Sequence, residues 1–321
     1  MLRKKVWFIV LFIAGGFFSL IAQSVLCADD EILFINKGHT IRVDKDIGDW
    51  VGLPPLQENT AVVDKGEYIW KDAKGDDVGD GNYVYPTNEK LRKGADIREV
   101  RITYDEKKLY LMIRTDRPND WWVGYKIIGI DKDGAGGGTS GTTVLAQGDI
   151  DLLSTYNGCY GELKVAEELA CEIIIGISST WRVRIWDKEG KLIAAVDGEE
   201  RQVPGVKVAD CNWYAIELSL PYDIIGDPRG ETWRFIVGTG LQDGDYFREV
   251  YSKPQDEWHP GGSRESSSLE DGVDPDVLDL IGASREKQIE DLASYDPEGE
   301  PGDIDSFCTI KNSYITVRFG K

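Results

Sequence analysis

The stretch VRITYDEKKLYLMIRT, residues 100–115, decides the fold class. Apolar side chains recur at every second position in 100–104 and again in 109–113, and the polar turn 105–108 separates the two runs. Successive side chains of a β-strand point to opposite faces of the sheet, so this spacing predicts two strands that each bury one face. The polar turn between them predicts an antiparallel hairpin.

The same alternation recurs along most of the chain. Further strands are predicted in WVGYKIIGIDKDG (122–134), CEIIIGIS (171–178), STWRVRIWDKEGKLIAAVDG (179–198), WYAIELSLP (213–221), TWRFIVGTG (232–240) and NSYITVRFG (312–320). The runs are short and bounded by turn residues, which is typical of an antiparallel β-sandwich of two sheets. Short helices are predicted at 161–170 and, interrupted by Gly282, at 275–294. We therefore expect an all-β fold with long loops and one or two short helices.

The N-terminus carries an export signal. Arg3, Lys4 and Lys5 precede the apolar run VWFIVLFIAGGFFSLIAQSVL, and the next charge is Asp29. This pattern predicts a signal peptide over 1–28, and the run is also long enough to remain as an uncleaved signal anchor. We expect 29–321 to be a single β-sandwich binding domain, secreted or held at the cell surface. Membrane contact is expected only through the N-terminal segment.

Charge limits the partners. The chain has 37 Lys and Arg residues against 57 Asp and Glu residues, a net charge of −20. Such a chain repels nucleic acid and anionic membrane surfaces, so neither is expected as a partner. The excess of carboxylates keeps the protein soluble, and it also supplies oxygen ligands for hard cations such as calcium.

Four cysteines remain beyond the leader: Cys159, Cys171, Cys211 and Cys308. An even number in an oxidising compartment predicts two disulfides. Cys159 and Cys171 would close a short loop, and a Cys211–Cys308 bridge would tie the last strand to the body of the domain. Four buried thiols are the alternative.

The sequence offers little for catalysis. It contains two histidines, His39 and His259, and neither an H-E-x-x-H nor a G-x-S-x-G motif. Triad and zinc chemistry are therefore not expected, although a glycosidase needs just two carboxylates, which composition does not exclude. A redox domain with haem b would need Met112, the one methionine beyond the initiator, and ordinary core packing is favoured for that residue. We expect a non-enzyme without an organic cofactor.

Several motifs resemble one family in the same order. WKDAKGDDVGDGNYVYP (70–86) resembles the opening of the C-terminal binding module of glucodextranase. YKIIGIDKDGAGGGTS (125–140) and GLQDGDYFREVYSKPQDEWHPGG (240–262) resemble later parts of that module. Its D-P-x-V-x-D-L ending is matched by DPDVLDLIG (274–282), followed by Gln288, Leu292 and Tyr295.

A second stretch, TIRVDKDIGDWVGLPP (40–55), is similar to the opening of family 9 carbohydrate-binding modules and DOMON-type sandwiches. Together the resemblances imply a DOMON-like, jelly-roll-like sandwich that binds carbohydrate or a cell-surface polymer. They bring no catalytic residues. Because such modules are attached to glycosidases, a glycoside hydrolase encoded separately is a further expected partner.

Tryptophans are the candidate sugar platform. Sugars present C–H faces that pack on flat aromatic rings, while polar side chains bind the hydroxyls. Trp121 and Trp122 are adjacent, so at most one of them lies on a given face, and Trp258 lies in a loop rich in Gly and Pro. We predict a platform of Trp121 or Trp122 with Trp258. Trp213 and Trp233 begin strands and are expected in the core.

The acidic loop is the candidate metal site. Asp72, Asp76, Asp77 and Asp80 offer carboxylate oxygens over nine residues, with glycines that permit tight turns. The EF-hand spacing fails because Thr87 stands where the last ligand, a glutamate, is required. The loop is predicted to hold calcium or to be a solvated turn that leads Tyr83 and Tyr85 into a strand. Two further carboxylates, Asp131 and Asp133, form a second candidate.

Three functional hypotheses follow. The first is an extracellular, non-catalytic carbohydrate-binding protein for a glucan or a cell-surface polysaccharide. The second is a structural or interaction protein anchored in the cell envelope. The third is the haem-b redox domain.

Overall fold

The computed structural model describes the chain in ten stretches. They are 32–120, 122–134, 140–145, 163–178, 182–197, 205–244, 246–251, 256–261, 274–299 and 303–321. Everything below concerns these residues. The predicted leader 1–28 lies outside them.

The larger sheet contains nine strands of the described chain. They are β1 (Ile32–Ile35), β6 (Gly124–Asp131), β8 (Ile173–Ser178), β9 (Arg182–Asp187), β10 (Leu192–Asp197), β13 (Thr232–Asp243), β14 (Tyr246–Phe247), β15 (Asp279–Leu280) and β17 (Ile315–Phe319). The order is β1-β17-β13-β6-β8-β9-β10, and β14 and β15 also pair with β13. Strands from both ends of the described chain thus lie side by side in one sheet.

The second sheet has six strands. They are β2 (Thr60–Asp64), β3 (Glu67–Lys71), β4 (Ile97–Tyr104), β5 (Lys108–Thr115), β11 (Lys207–Cys211) and β12 (Ala215–Pro221). The order is β11-β12-β5-β4-β3-β2, with antiparallel pairing throughout. The predicted hairpin is β4–β5, in which Ile102 pairs with Leu111. Parallel pairing occurs between β1 and β17 and in a small separate sheet of β7 (Leu163–Val165) and β16 (Cys308–Ile310).

The main core lies between the two sheets. The alternating residues of the hairpin, Val100, Ile102, Leu111 and others, pack against side chains from β6, β8, β9, β13 and β17. Burial of this interior supplies the main stabilisation of the fold, since apolar area removed from water contributes about 25 cal/mol per Å². The predicted all-β sandwich is confirmed.

The outer faces of both sheets are also covered. On the larger sheet, Ile127, Ile174 and Ile236 pack beneath β7, β16 and the C-terminal helix region. On the smaller sheet, residues 41–50 cover Tyr110 and Met112, and Trp50 donates from Nε1 to Glu217 at 3.0 Å. Met112 is therefore a core residue.

The helix predictions were partly wrong. Helix α1 (Tyr222–Ile225) was not predicted, and α2 (Arg285–Leu292) accounts for the second half of the segment 275–294. The first half of that segment contains β15, because Asp279 and Leu280 pair with β13. Similarly, 163–170 is β7 followed by a 3-10 turn, since Leu163 to Val165 pair with β16. In both places sheet pairing outweighs the local helical pattern.

The predicted Cys211–Cys308 disulfide was wrong. The Cys211 thiol lies on the outer face of the smaller sheet, 3.5 Å from Glu217 Oε2, whereas Cys308 packs in the cluster on the outer face of the larger sheet. The Cys171 thiol is free and buried, and it donates to the carbonyl of Leu169 at 3.3 Å. Cys159, its predicted partner, lies outside the described residues.

Candidate functional site

Two of the predicted tryptophans meet in space. The ring centroids of Trp122, at the start of β6, and Trp258 lie 6.4 Å apart, and the ring planes are inclined at 31°. Trp258 is 42% exposed, whereas Trp122 is half-buried. Trp121 lies outside the described residues. The structure thus presents an inclined pair of indole rings, one of which is partly open to solvent.

The loop that carries Trp258 is fixed to the end of the acidic loop. Val84 and Gly261 exchange backbone hydrogen bonds of 2.8 and 3.0 Å, and Thr87 donates to the carbonyl of Asp256 at 2.9 Å. The Asp256 carboxylate accepts from the backbone N–H of Trp258 at 2.7 Å, which closes the turn. Tyr83 and Tyr85 therefore flank a single bridge residue, Val84, and do not enter the predicted strand.

Tyr83 and Tyr85 pack on the same buried cluster as Trp122. Their rings make an edge-to-face contact with centroids 5.0 Å apart. Together with Trp122 they pack against a buried cluster that includes Val123 and Leu278. Trp122 consequently packs on a fixed base, which lowers the entropy that a ligand of this residue would have to remove.

Next to this base, three carboxylates form a buried cluster. One oxygen from each of Asp72, Asp76 and Asp279 lies within 4.8 Å of the other two. Asp72 follows β3, Asp76 lies in the acidic loop, and Asp279 begins β15. The cluster therefore lies where the two sheets meet, and residues about 200 positions apart in the sequence build it.

Each carboxylate of this cluster is half satisfied. Asp72 Oδ1 accepts from Trp70 Nε1 at 2.7 Å, and Asp279 Oδ2 accepts from the Ile97 N–H at 2.6 Å. Asp76 Oδ2 accepts from Gln288 Nε2 at 3.3 Å. The second oxygens, Asp72 Oδ2, Asp76 Oδ1 and Asp279 Oδ1, are buried and accept no hydrogen bond from the described part of the chain.

The electrostatics of the cluster are unfavourable for three free anions. Burial raises the pKa of Asp72 and of Asp279 well above the usual value, and the neighbouring carboxylates raise both further. Burial likewise raises the pKa of Asp76. Burial and mutual repulsion thus both disfavour the ionised forms of these carboxylates.

The structure places the other two predicted ligands elsewhere. Asp77 accepts a hydrogen bond from the Tyr85 hydroxyl, and burial raises the pKa of Asp77 to about 6. Asp80 accepts from the Asn82 N–H at 3.0 Å and lies 3.4 Å from the Tyr295 hydroxyl. Asp279 was missed by sequence reasoning. Its signal was the D-L of the family-like ending 274–282, which the interpretation did not connect to the acidic loop.

A third carboxylate, that of Glu172, lies beside the second predicted pair of carboxylates. One oxygen each of Asp131, Asp133 and Glu172 lies within 4.8 Å of the others. Arg234 approaches Asp131 at 3.4 Å, and Ser140 donates to Asp133 and Glu172 at 3.1 and 2.7 Å. Protein groups thus partly satisfy this second cluster.

A cavity of about 830 Å³ lies near the other end of β4. Its lining includes four basic residues, Lys37, Lys107, Arg229 and Lys321, in a protein whose net charge is −20. Arg229 is held by Asp227, with Nη2 and Oδ2 2.6 Å apart. Sequence reasoning did not predict this cavity, since its residues come from distant segments.

The fold is thus a β-sandwich in which Trp122, two residues before β6, contacts Trp258. The family model described as the C-terminal binding module, SLH-like, of glucodextranase matches residues 68–302, and the chain belongs to this family. The matched region contains the aromatic pair and the Asp72–Asp76–Asp279 cluster. The resemblance to this family is confirmed, and the DOMON-like and family 9 details stay predictions.

Other comparisons add little. A solved structure described as "pH-induced modulation of Streptococcus parasanguinis adhesion by Fap1 fimbriae" is similar at 12% identity and a TM-score of 0.18, covering 61% of this chain and 84% of that one. A likeness this weak supports no inference. No curated protein matches the sequence. Within the described residues, helices long and apolar enough to cross a membrane are absent.

Proposed function

We propose that the protein is a non-catalytic carbohydrate-binding protein, secreted or held at the cell surface, and that Trp122 and Trp258 form its sugar platform. The observation that carries this proposal is the contact between these two rings, with Trp258 on a loop that is bonded to residues 84–88. The family is described as the C-terminal binding module of glucodextranase, an enzyme named after a dextran. This description supports carbohydrate as the ligand class.

The chemistry of the platform suits a sugar. The C–H face of a pyranose packs on an indole ring, and the 42% exposure of Trp258 leaves such a face available. Glu257 immediately precedes Trp258 and is exposed, so it provides a polar rim for the hydroxyls. The ligand is therefore expected to stack on Trp258 and to bond this polar rim.

Charge favours an uncharged ligand at this platform. With a net charge of −20 the protein repels polyanions at long range. A neutral glucan or cell-surface polysaccharide is the ligand that agrees best with both the charge and the aromatic pair.

Affinity electrophoresis tests the proposal. The protein is run through gels that contain starch, pullulan, dextran or a cell-wall glycan, beside the double variant Trp122→Ala/Trp258→Ala. Retardation of the wild type by one polysaccharide, lost in the double variant, is the expected result. Free migration in every gel would contradict carbohydrate binding.

The SLH-like description of the family favours a second role, that of an envelope protein anchored by an uncleaved leader 1–28. In that case the protein stays in washed membranes with its N-terminus intact. Release of a protein shortened at its N-terminus into the medium favours the secreted form. A separately encoded glycoside hydrolase is the enzyme that such a binding protein would assist.

A further inference from the structure

We propose that Asp72, Asp76 and Asp279 bind one hard divalent cation of the size of calcium. This inference does not depend on the carbohydrate proposal, because it rests on a different set of side chains. Asp279 lies outside the acidic loop, so the proposed site differs from one that the acidic loop would form alone.

The spacing of the oxygens fits such a cation. Calcium binds oxygen ligands at about 2.3–2.6 Å in flexible geometries, so two ligands on one ion lie up to about 5 Å apart. The three carboxylate oxygens lie within 4.8 Å of one another, inside this limit. Magnesium binds at about 2.0–2.1 Å and requires a near-ideal octahedron, which the site is less suited to provide.

Satisfaction of the buried oxygens supplies the second argument. Asp72 Oδ2, Asp76 Oδ1 and Asp279 Oδ1 are buried, and no described donor reaches them. Buried carboxylate oxygens almost always have a partner, because leaving one without a partner costs the full loss of its hydration. A cation bound by these oxygens would restore those interactions at once.

Protein cations do not occupy the site. The charge of Arg98 acts on Asp72 and Asp76. Its guanidinium, however, contacts Asp96 at 3.7 Å, Glu58 at 3.4 Å and the carbonyl of Ala73 at 2.5 Å. Within the described chain, no ion pair joins an arginine or lysine to the three carboxylates. The absence of such an ion pair distinguishes this cluster from the second cluster of carboxylates, where Arg234 lies 3.4 Å from Asp131.

The location gives the cation a structural role. Asp72 extends from the smaller sheet, and Asp279 belongs to β15 of the larger sheet and accepts from the first residue of β4. Asp76 lies at the start of the loop whose far end pairs with the Trp258 loop. One cation would therefore join the two sheets and fix the start of the acidic loop.

The test measures bound calcium and thermal unfolding on the purified protein. Equilibrium dialysis with calcium is expected to show one ion more per chain on the wild type than on Asp279→Asn. Calcium at about 100 times its Kd is expected to raise the wild-type Tm by about 4–5 °C over the chelated protein, and this rise is lost in the variant. Glu217→Gln is the matched control, since Glu217 is equally buried but lies outside the cluster, and it should keep both the ion and the rise.

The behaviour without calcium separates a cation site from a purely structural role. In chelator, Asp279→Asn should melt at or above the wild-type temperature, because the change removes one of three crowded carboxylates. If Asp279→Asn fails to fold, Asp76→Asn, in a loop rather than a strand, serves as the second variant. The inference is overturned if the wild type binds no calcium at millimolar concentration, if either variant retains the ion, or if magnesium raises the Tm as much as calcium does.

Discussion

Removal of the Trp258 side chain is expected to weaken glycan binding by a defined amount. A tryptophan side chain offers about 200 Å² of surface, and at about 25 cal/mol per Å² the 42% that is exposed corresponds to about 2 kcal/mol when a sugar covers it. This energy amounts to an increase of about 30-fold in Kd for Trp258→Ala.

Isothermal titration with an oligosaccharide of the retained glycan measures this change. The matched control is Trp213→Ala, since Trp213, which was expected in the core, is instead 44% exposed under Arg117 in the turn between β11 and β12. Its loss removes a similar exposed area, and we expect the Kd to change less than about twofold. If Trp258→Ala binds within about threefold of the wild type, or if Trp213→Ala weakens binding equally, the platform is not at Trp122 and Trp258.

Three further predictions concern the fold. Burial lowers the pKa of Lys126 from 10.5 to about 8, so between these values the unfolded chain holds a proton that the folded chain lacks, and stability rises with pH. Lys126→Met should remove this rise and stabilise the protein at pH 7 by about 3 kcal/mol. Chemical denaturation at pH 7 and pH 10 measures both effects. An equal dependence of the unfolding free energy on pH in the two proteins would contradict the prediction. Gly282 has φ 90°, and an added Cβ would overlap the carbonyl oxygen of Tyr314. Gly282→Ala should therefore lose more stability than Gly190→Ala, whose φ is 75° with open space around it and which should lose about 1 kcal/mol. Cys171 and Cys211 should resist alkylation in the native protein and react after unfolding without reductant, since both are buried thiols of raised pKa. Detection of either residue in a disulfide by mass spectrometry would refute this prediction.

Sequence patterns predicted the strands well where one residue in two was apolar. The β4–β5 hairpin and the burial of Val183 and Ile185 on one face of β9 follow from the alternation itself, because a strand has a period of two. The helix at 161–170 and the first half of the segment 275–294 were predicted from local spacing. These runs became strands because partners far along the chain, β16 and β13, offered backbone hydrogen bonds.

The functional residues divide in the same way. Trp122 and Trp258 could be predicted from residue type and loop context, and the structure adds that their rings meet. Asp72 and Asp76 were visible in the acidic loop. Asp279 was visible only as part of the family-like ending 274–282, and nothing local connects that ending to the acidic loop.

The sequence by itself therefore determined the fold class, the family and the residue types available for binding. Side-chain alternation and short motifs are local properties, so they can be recognised without knowing what each segment packs against. The tertiary structure decided which distant residues share a site: β15 brings Asp279 to Asp72, and the Val84–Gly261 pairing brings the Trp258 loop to the acidic loop. The physical reason is that burial and cation-ligand distances depend on long-range strand pairing, which a one-dimensional pattern does not specify.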